Sequence, residues 1–211
     1  MEVTDPAALE SVVRQFCPDG EFSGIALFGT GLIHRSFSVT VRRPSDPSDV
    51  SQFVLQRINT HVFPHPIALM ENIDRVTAHL SHIAAATRRC ALQLVRAVDG
   101  RSWTVGPDGT YWRIYRYIDG TRTVDRIESA EQCFIVARAF GDFQQQLISL
   151  PPPRLHDTIP GFHDTPRRMA ALDRAIQADA AGRVRHTGRE IDFALRREPL
   201  AHVLLDAGMP E

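Results

Sequence analysis

Two apolar runs, Ile25–Phe28 and Phe37–Val41, are broken apart by Gly29-Thr30-Gly31, and this constrains the fold more than any other feature of the chain. Ser36–Val41 alternates Phe37, Val39 and Val41 against Ser36, Ser38 and Thr40, the period of a half-buried antiparallel strand. Two strands joined through two glycines form a turn whose backbone N–H groups face outward without a Cβ in the way. Such a turn can approach an anion. A polar, proline-broken stretch, Pro44–Ser51, predicts a loop, and Gln52–Ile58 predicts the third strand.

Pro66 then opens a helix predicted to run to about Arg88, with Met70, Ile73, Val76 (or Thr77), Leu80 and Ile83 on its buried face. Ala91–Val98 reads as a fourth strand, Asp108-Gly109 as a hairpin and Tyr111–Ile118 as a fifth strand. A short first helix, Pro6–Phe16, is capped by Asp5 and carries Leu9, Val12, Val13 and Phe16 on one stripe. The second half reads as helical. Ser129 and Gln132 form a capping box for Ala130–Ser149, which is expected to bury Phe134, Ala137, Phe140, Phe143 and Leu147. Pro151-Pro152-Pro153 stops it. Thr165 and Pro166 cap and start a helix carrying Met169, Leu172 and Ile176, and weaker helical patterns lie near Glu190–Arg197 and Leu200–Ala207. The predicted domains are residues 1–118, a sheet with one long helix, and residues 119–211, a hinge and helices.

Composition excludes several classes. The net charge of −1 leaves no electrostatic footprint for nucleic acid. Cys17, Cys90 and Cys133 are odd in number and scattered, unlike a disulfide framework or a zinc site, and imply a reducing cytoplasm. Met1-Glu2-Val3-Thr4-Asp5-Pro6 lacks the basic and apolar regions expected of a signal peptide, and no apolar run approaches the roughly 20 residues that span a bilayer.

The strings Val54-Leu55-Gln56-Arg57-Ile58-Asn59, Phe63-Pro64 and Leu69-Met70-Glu71-Asn72-Ile73 resemble the N-acetylhexosamine 1-kinase group of the aminoglycoside/choline phosphotransferase superfamily. Trp112-Arg113 with Tyr117-Ile118-Asp119-Gly120-Thr121 is similar to that group's lobe-connecting segment, and Ile159-Pro160-Gly161-Phe162-His163-Asp164-Thr165 is a further string of the same kind. The resemblance spans about Phe22 to Phe193. It implies an α+β fold: a protein-kinase-like small lobe of five antiparallel strands and one long helix, followed by the first helices of an incomplete helical large lobe. It also implies ATP and Mg2+ as cofactors, and transfer of a phosphoryl group to a sugar, the anomeric hydroxyl of an N-acetylhexosamine.

Under that resemblance Gly29, Thr30 and Gly31 cover the phosphates; a bare Gly-x-Gly turn is otherwise a plain hairpin. The strand-three lysine of a kinase is replaced by Gln56, or by Arg57 if the strand is bulged or shifted by one. Only one of the two neighbours can face the cleft. Glu71 would pair with whichever enters, or else lie exposed beside Arg75 at i,i+4. Asp119 belongs to the hinge whose backbone reads the adenine edge. His163 and Asp164 are candidate sugar contacts. His156-Asp157 and Asp192-Phe193-Ala194 imitate catalytic-loop and metal-binding strings but lack the His-x-Asp-x-x-x-x-Asn spacing, and His79 and His82 have no third ligand. No catalytic or metal-binding residue is assigned. The family's catalytic loop follows the helices with which this sequence ends, so the chain alone is expected not to catalyse transfer. Its phenylalanine-bearing helix is then expected to stay uncovered and to promote association. Choline, homoserine or aminoglycoside kinases are alternatives within the superfamily. A non-catalytic nucleotide-binding or interaction module is the alternative outside enzymes.

Overall fold

A computed structural model describes residues 5–87, 91–121, 124 and 126–208. Its contacts divide the chain into two compact units, Met1–Thr158 and Ile159–Glu211. The predicted boundary near Asp119 therefore falls inside the first unit. No helix among the described residues is long and apolar enough to cross a membrane.

The first unit is built on a five-stranded antiparallel sheet of order β1-β2-β3-β5-β4. The strands are β1 (Glu21–Leu27), β2 (Arg35–Arg43), β3 (Asp46–Arg57), β4 (Thr104–Val105) and β5 (Tyr111–Arg116). Helix α1 (Pro6–Arg14) starts where the sequence predicts, with the Asp5 carboxylate accepting from the Ala7 N–H at 3.1 Å. Its Leu9, Val12 and Val13, together with Phe16 just beyond it, pack on the sheet face formed by Phe37, Val39, Val41, Phe53, Leu55, Trp112 and Ile114. Each fully buried side chain of this size contributes roughly 1.5–3 kcal/mol, so α1 holds this face closed. Helix α2 (Pro66–Thr87) packs through Leu69 and Met70 against Ile58, with Ile73, Leu94, Trp103 and Tyr111 around them. Arg88, where the helix was expected to end, and Cys90 lie outside the described residues.

Three sequence expectations change. The expected loop Pro44–Ser51 contracts to a two-residue turn, because β3 begins at Asp46 and pairs back on β2 through a register shift at Arg42/Arg43. Asp46 steadies that bend by accepting from the Ser48 N–H at 3.0 Å and the Ser48 hydroxyl at 2.6 Å. The fourth strand is Thr104–Val105, not Ala91–Val98. That earlier segment touches β5 at a single bridge, Leu94 to Tyr115. Beyond it the Ala97 N–H turns to Arg101 O and the Val98 N–H to Gln15 O, so its bonds leave the ladder. Third, the burial expected of Phe134, Ala137, Phe140, Phe143 and Leu147 on α3 (Ala130–Leu147) is not found, whereas the expectation that its phenylalanines stay uncovered is met: Phe134, Phe140 and Phe143 are 65%, 66% and 40% exposed. The predicted cap of α3 holds, with Ser129 Oγ accepting from the Gln132 N–H at 3.1 Å.

The second unit carries α4 (Thr165–Ala178), α5 (Gly188–Leu195) and a one-turn α6 (Val203–Asp206). The cap of α4 is Asp164 rather than Thr165: its carboxylate accepts from the Arg167 N–H at 2.8 Å. A carboxylate can both accept that bond and complement the helix dipole, which a threonine hydroxyl does only in part.

Candidate functional site

Strand alternation and register give the sheet two unlike faces. Opposite the α1 core, cross-strand partners set Ser38 beside Val54, Ser36 beside Gln56, Val54 beside Tyr115, and Gln56 beside Arg113. This second face is half-buried and polar, which is unusual for a sheet whose other side is packed with aliphatic and aromatic groups.

Arg113 dominates it. The residue is 6% exposed, and among the described residues its guanidinium faces no carboxylate. Nε and Nη2 donate to the Gln56 carbonyl oxygen at 2.9 and 2.7 Å, Nη1 reaches only the Met70 thioether at 3.9 Å, and the charge lies 5.4 Å from the Tyr115 ring centre. The Gln56 amide in turn donates to Ser36 Oγ at 2.9 Å, so β2, β3 and β5 are tied together under one cation. Burial draws the Arg113 pKa downward, opposed by Tyr115, and pushes the Tyr115 pKa up. An arginine stays protonated through such shifts, so a full positive charge sits here with a neutral amide as its main acceptor.

The glycine segment lies at the end of the same sheet. It is not a tight turn: β1 stops at Leu27 and β2 starts at Arg35, leaving a seven-residue connection closed at its base by the Phe28 N–H on Ser36 O at 3.0 Å. Gly29 has φ +75°, a left-handed backbone that a side chain would strain, and a Cβ there would meet nothing within 4 Å. Phe28 meets Tyr117 edge-on at 6.0 Å, which joins the base of this connection to the chain leaving β5. His34, at its far end, accepts from the Asn59 N–H through Nδ1 at 3.2 Å and stacks on Phe63 at 5.3 Å. Burial and the nearby Arg113 charge hold its pKa at about 4, so at neutral pH it is uncharged with its proton on Nε2.

The other predicted residues fall as follows. No register shift separates Val50 from Arg57 on β3, so Gln56 takes the polar face and Arg57 the opposite one, paired with Trp112. Glu71 meets neither: its carboxylate lies 2.6 Å from His156 Nε2. Arg75 does not pair with Glu71 either, but donates to the carbonyls of Pro151, Pro153 and Arg154. The Asn72 amide bonds both the N–H and the C=O of His156, at 2.8 Å each. His156 is thus a dock for the proline-rich strap on α2. Asp119 is exposed, followed by Gly120 at φ +71°. His163 is exposed with Phe162 against it, and the Asp164 carboxylate is engaged in the α4 cap. His79 Nε2 lies 2.9 Å from Gln146 O and 3.1 Å from Ser149 Oγ. Phe193 is exposed, with the Arg197 guanidinium carbon 3.4 Å from its ring centre.

Sequence reasoning placed the cation on β3 and missed Arg113. The available signal was the one charge inside Tyr111-Trp112-Arg113-Ile114-Tyr115, a run otherwise made of large apolar and aromatic residues, with the exposed Arg116 closing the strand. Among the described residues no three His, Cys, Asp or Glu side chains gather as a metal site. No family model matches the chain.

Proposed function

We propose that the first unit is a nucleotide-binding lobe of a protein-kinase-like phosphotransferase, taking a triphosphate such as ATP on the polar sheet face beneath the Gly29–Gly31 connection. One observation carries this reading: the buried guanidinium of Arg113, held by Gln56 and lacking a carboxylate, on the face where a phosphate would complete it. A phosphate accepts charge-assisted bonds from a guanidinium and relieves the cost of its burial. The open backbone around Gly29 supplies further donors. The element order, a Gly-bearing strand pair, a third strand, a long helix and two closing strands, agrees with that class of lobe.

Arg113 then takes the part expected of Gln56 or Arg57, and Gln56 positions it. Asp119 and Gly120 follow β5 where an adenine edge would be read. In the N-acetylhexosamine 1-kinase resemblance the acceptor is a sugar, and His163 and Asp164 remain candidates toward it; choline-, homoserine- and aminoglycoside-type acceptors fit the same lobe. Magnesium would accompany the nucleotide. The non-catalytic interaction reading is favoured by one feature, the exposed Phe134 and Phe140 on α3.

Calorimetric titration with Mg-ATP tests the proposal. Wild type is expected to bind, and Arg113→Gln to weaken binding by about tenfold or more, the loss of a charge-assisted contact of ~1.5–3 kcal/mol. Absence of binding at millimolar nucleotide, or equal affinity in Arg113→Gln, overturns it.

A further inference from the structure

Two side-chain protons beside Arg113 meet no acceptor among the described residues, and the bonds around them fix where each proton sits. The first belongs to Ser36. Arg113 has only donors, so its Nε and Nη2 require the Gln56 carbonyl oxygen to face them, at 2.9 and 2.7 Å. The Gln56 amide nitrogen is thereby turned to Ser36 and donates to Oγ at 2.9 Å. Oγ is the acceptor in that bond, and its own proton remains to be donated.

The second belongs to His34. A backbone N–H can only donate, so the 3.2 Å bond from the Asn59 N–H to Nδ1 leaves Nδ1 unprotonated and places the ring proton on Nε2. Stacking on Phe63, with ring centres 5.3 Å apart and planes 23° from parallel, holds the ring in one orientation. Phe63 packs in the cluster that contains Met70, and the Met70 sulfur is the atom that Arg113 Nη1 reaches, so His34 stands on the Arg113 side of the sheet. Burial and the Arg113 charge keep the ring neutral at pH 7. The Asn59 amide also donates to Ile33 O at 3.2 Å, which pins the backbone that carries His34 to the chain after β3. Both residues are half-buried, and two steps along the chain separate their Cα atoms by at most about 7 Å.

We propose that the His34 Nε2–H and the Ser36 hydroxyl donate directly to phosphate oxygens of the bound nucleotide, completing with Arg113 a site of one cation and two neutral donors. This rests on the nucleotide reading of the same face. Donors and a positive charge gathered on one side favour ionised oxygens over ammonium or hydroxyl groups. The imidazole is oriented before the ligand arrives, so little freedom is lost when its bond forms. His34 and Ser36 therefore touch the phosphates, whereas Gln56 and Asn59 act through them as positioning residues.

The test titrates the full chain calorimetrically with Mg-ATP and with magnesium tripolyphosphate, which carries the phosphates without the nucleoside. His34→Asn keeps an oxygen for the Asn59 N–H and lacks the Nε2 donor; Ser36→Ala lacks the hydroxyl. Each is expected to weaken both ligands by the same factor, about three- to tenfold, as for the loss of one neutral hydrogen bond. Ser36→Ala also strands the Gln56 amide, so a second measurement uses wild type alone: a scalar coupling across the hydrogen bond between His34 15Nε2 and a 31P nucleus of the bound ligand, which a purely structural histidine would not show. Weakening of Mg-ATP alone would place the donors on the nucleoside and overturn the proposal. Variants that bind both ligands like wild type, or bound wild type without the coupling, overturn it too. In these cases, weaker Mg-ATP binding by Arg113→Gln leaves the nucleotide reading standing; wild type that binds neither ligand ends both.

Discussion

Replacing Gln56 by leucine probes the arrangement on which the proposed site rests. The substitution keeps the volume of the side chain and removes the single carbonyl oxygen that takes two bonds from Arg113, at 2.9 and 2.7 Å. Arg113 is 6% exposed, and its remaining neighbour on Nη1 is the Met70 thioether at 3.9 Å, so water cannot restore what is lost without opening the sheet. Hydrogen bonds to a charged group contribute about 1.5–3 kcal/mol, and stranding a buried cation adds to that. A cost of ~2–4 kcal/mol is therefore expected, a large part of the 5–15 kcal/mol that a typical domain has. Arg113→Met removes the cation instead, with comparable volume and no buried charge. In the double variant the leucine and methionine pack together, so the two losses are far from additive, with a coupling of at least about 1 kcal/mol. Urea unfolding of the wild type, both single variants and the double variant supplies the cycle. A Gln56→Leu cost below ~0.5 kcal/mol, or strict additivity, would show that Arg113 finds its compensation elsewhere and would refute the reasoning.

Two further outcomes follow from the same geometry. His34 has a folded pKa of about 4, below its ordinary value of 6.5, so the unfolded chain takes up its proton first on acidification. Its contribution is complete above pH 6.5 and is lost as pH falls toward 4. Stability measured by urea midpoint across that window should fall more steeply in wild type than in His34→Gln, whose side-chain oxygen can still accept from the Asn59 N–H; parallel profiles would contradict the assignment. On α2, Asn72→Ala removes both bonds to the His156 backbone. The 151–157 strap should then loosen, with amide hydrogen exchange at His156 faster by roughly five- to tenfold, as expected for about 1 kcal/mol of lost local stability; unchanged exchange would mean that the Arg75 and Glu71 contacts alone hold it.

The sequence carried the sheet well where period and capping agree. The alternation in Ser36–Val41, the Asp5 cap of α1 and the Ser129 cap of α3 each depend on neighbours within a few residues, and each appears in the structure. Reading failed where a long-range partner decides. Ala91–Val98 has the composition of a strand, but the Val98 N–H bonds to Gln15, far away in the chain, and draws the segment off the ladder. Asp164 outcompetes Thr165 for the α4 cap through a side-chain geometry that composition does not encode. In the candidate site the place of Gln56 on the face opposite Arg57 was legible because strand period is local, whereas the turn expected at Gly29-Thr30-Gly31 is a seven-residue connection between Leu27 and Arg35. The partnership of Gln56 with Arg113 was not legible, since it joins residues 57 positions apart through register alone. Glu71 was legible as a side chain off the apolar stripe of α2, but its partner His156 lies on a strap that no local pattern places there.

The central claim is that a triphosphate sits between the Gly29–Gly31 connection and Arg113. The amide and arginine side-chain NMR spectrum recorded with and without Mg-ATP tests it at the positions themselves. The account predicts saturable shifts at the Gly29, Thr30 and Gly31 amides and at the Arg113 Nε–H, with the His34 pKa rising from about 4 as the neighbouring positive charge is neutralised. Nucleotide that leaves these signals unmoved, or that moves only residues of the second unit, would contradict it.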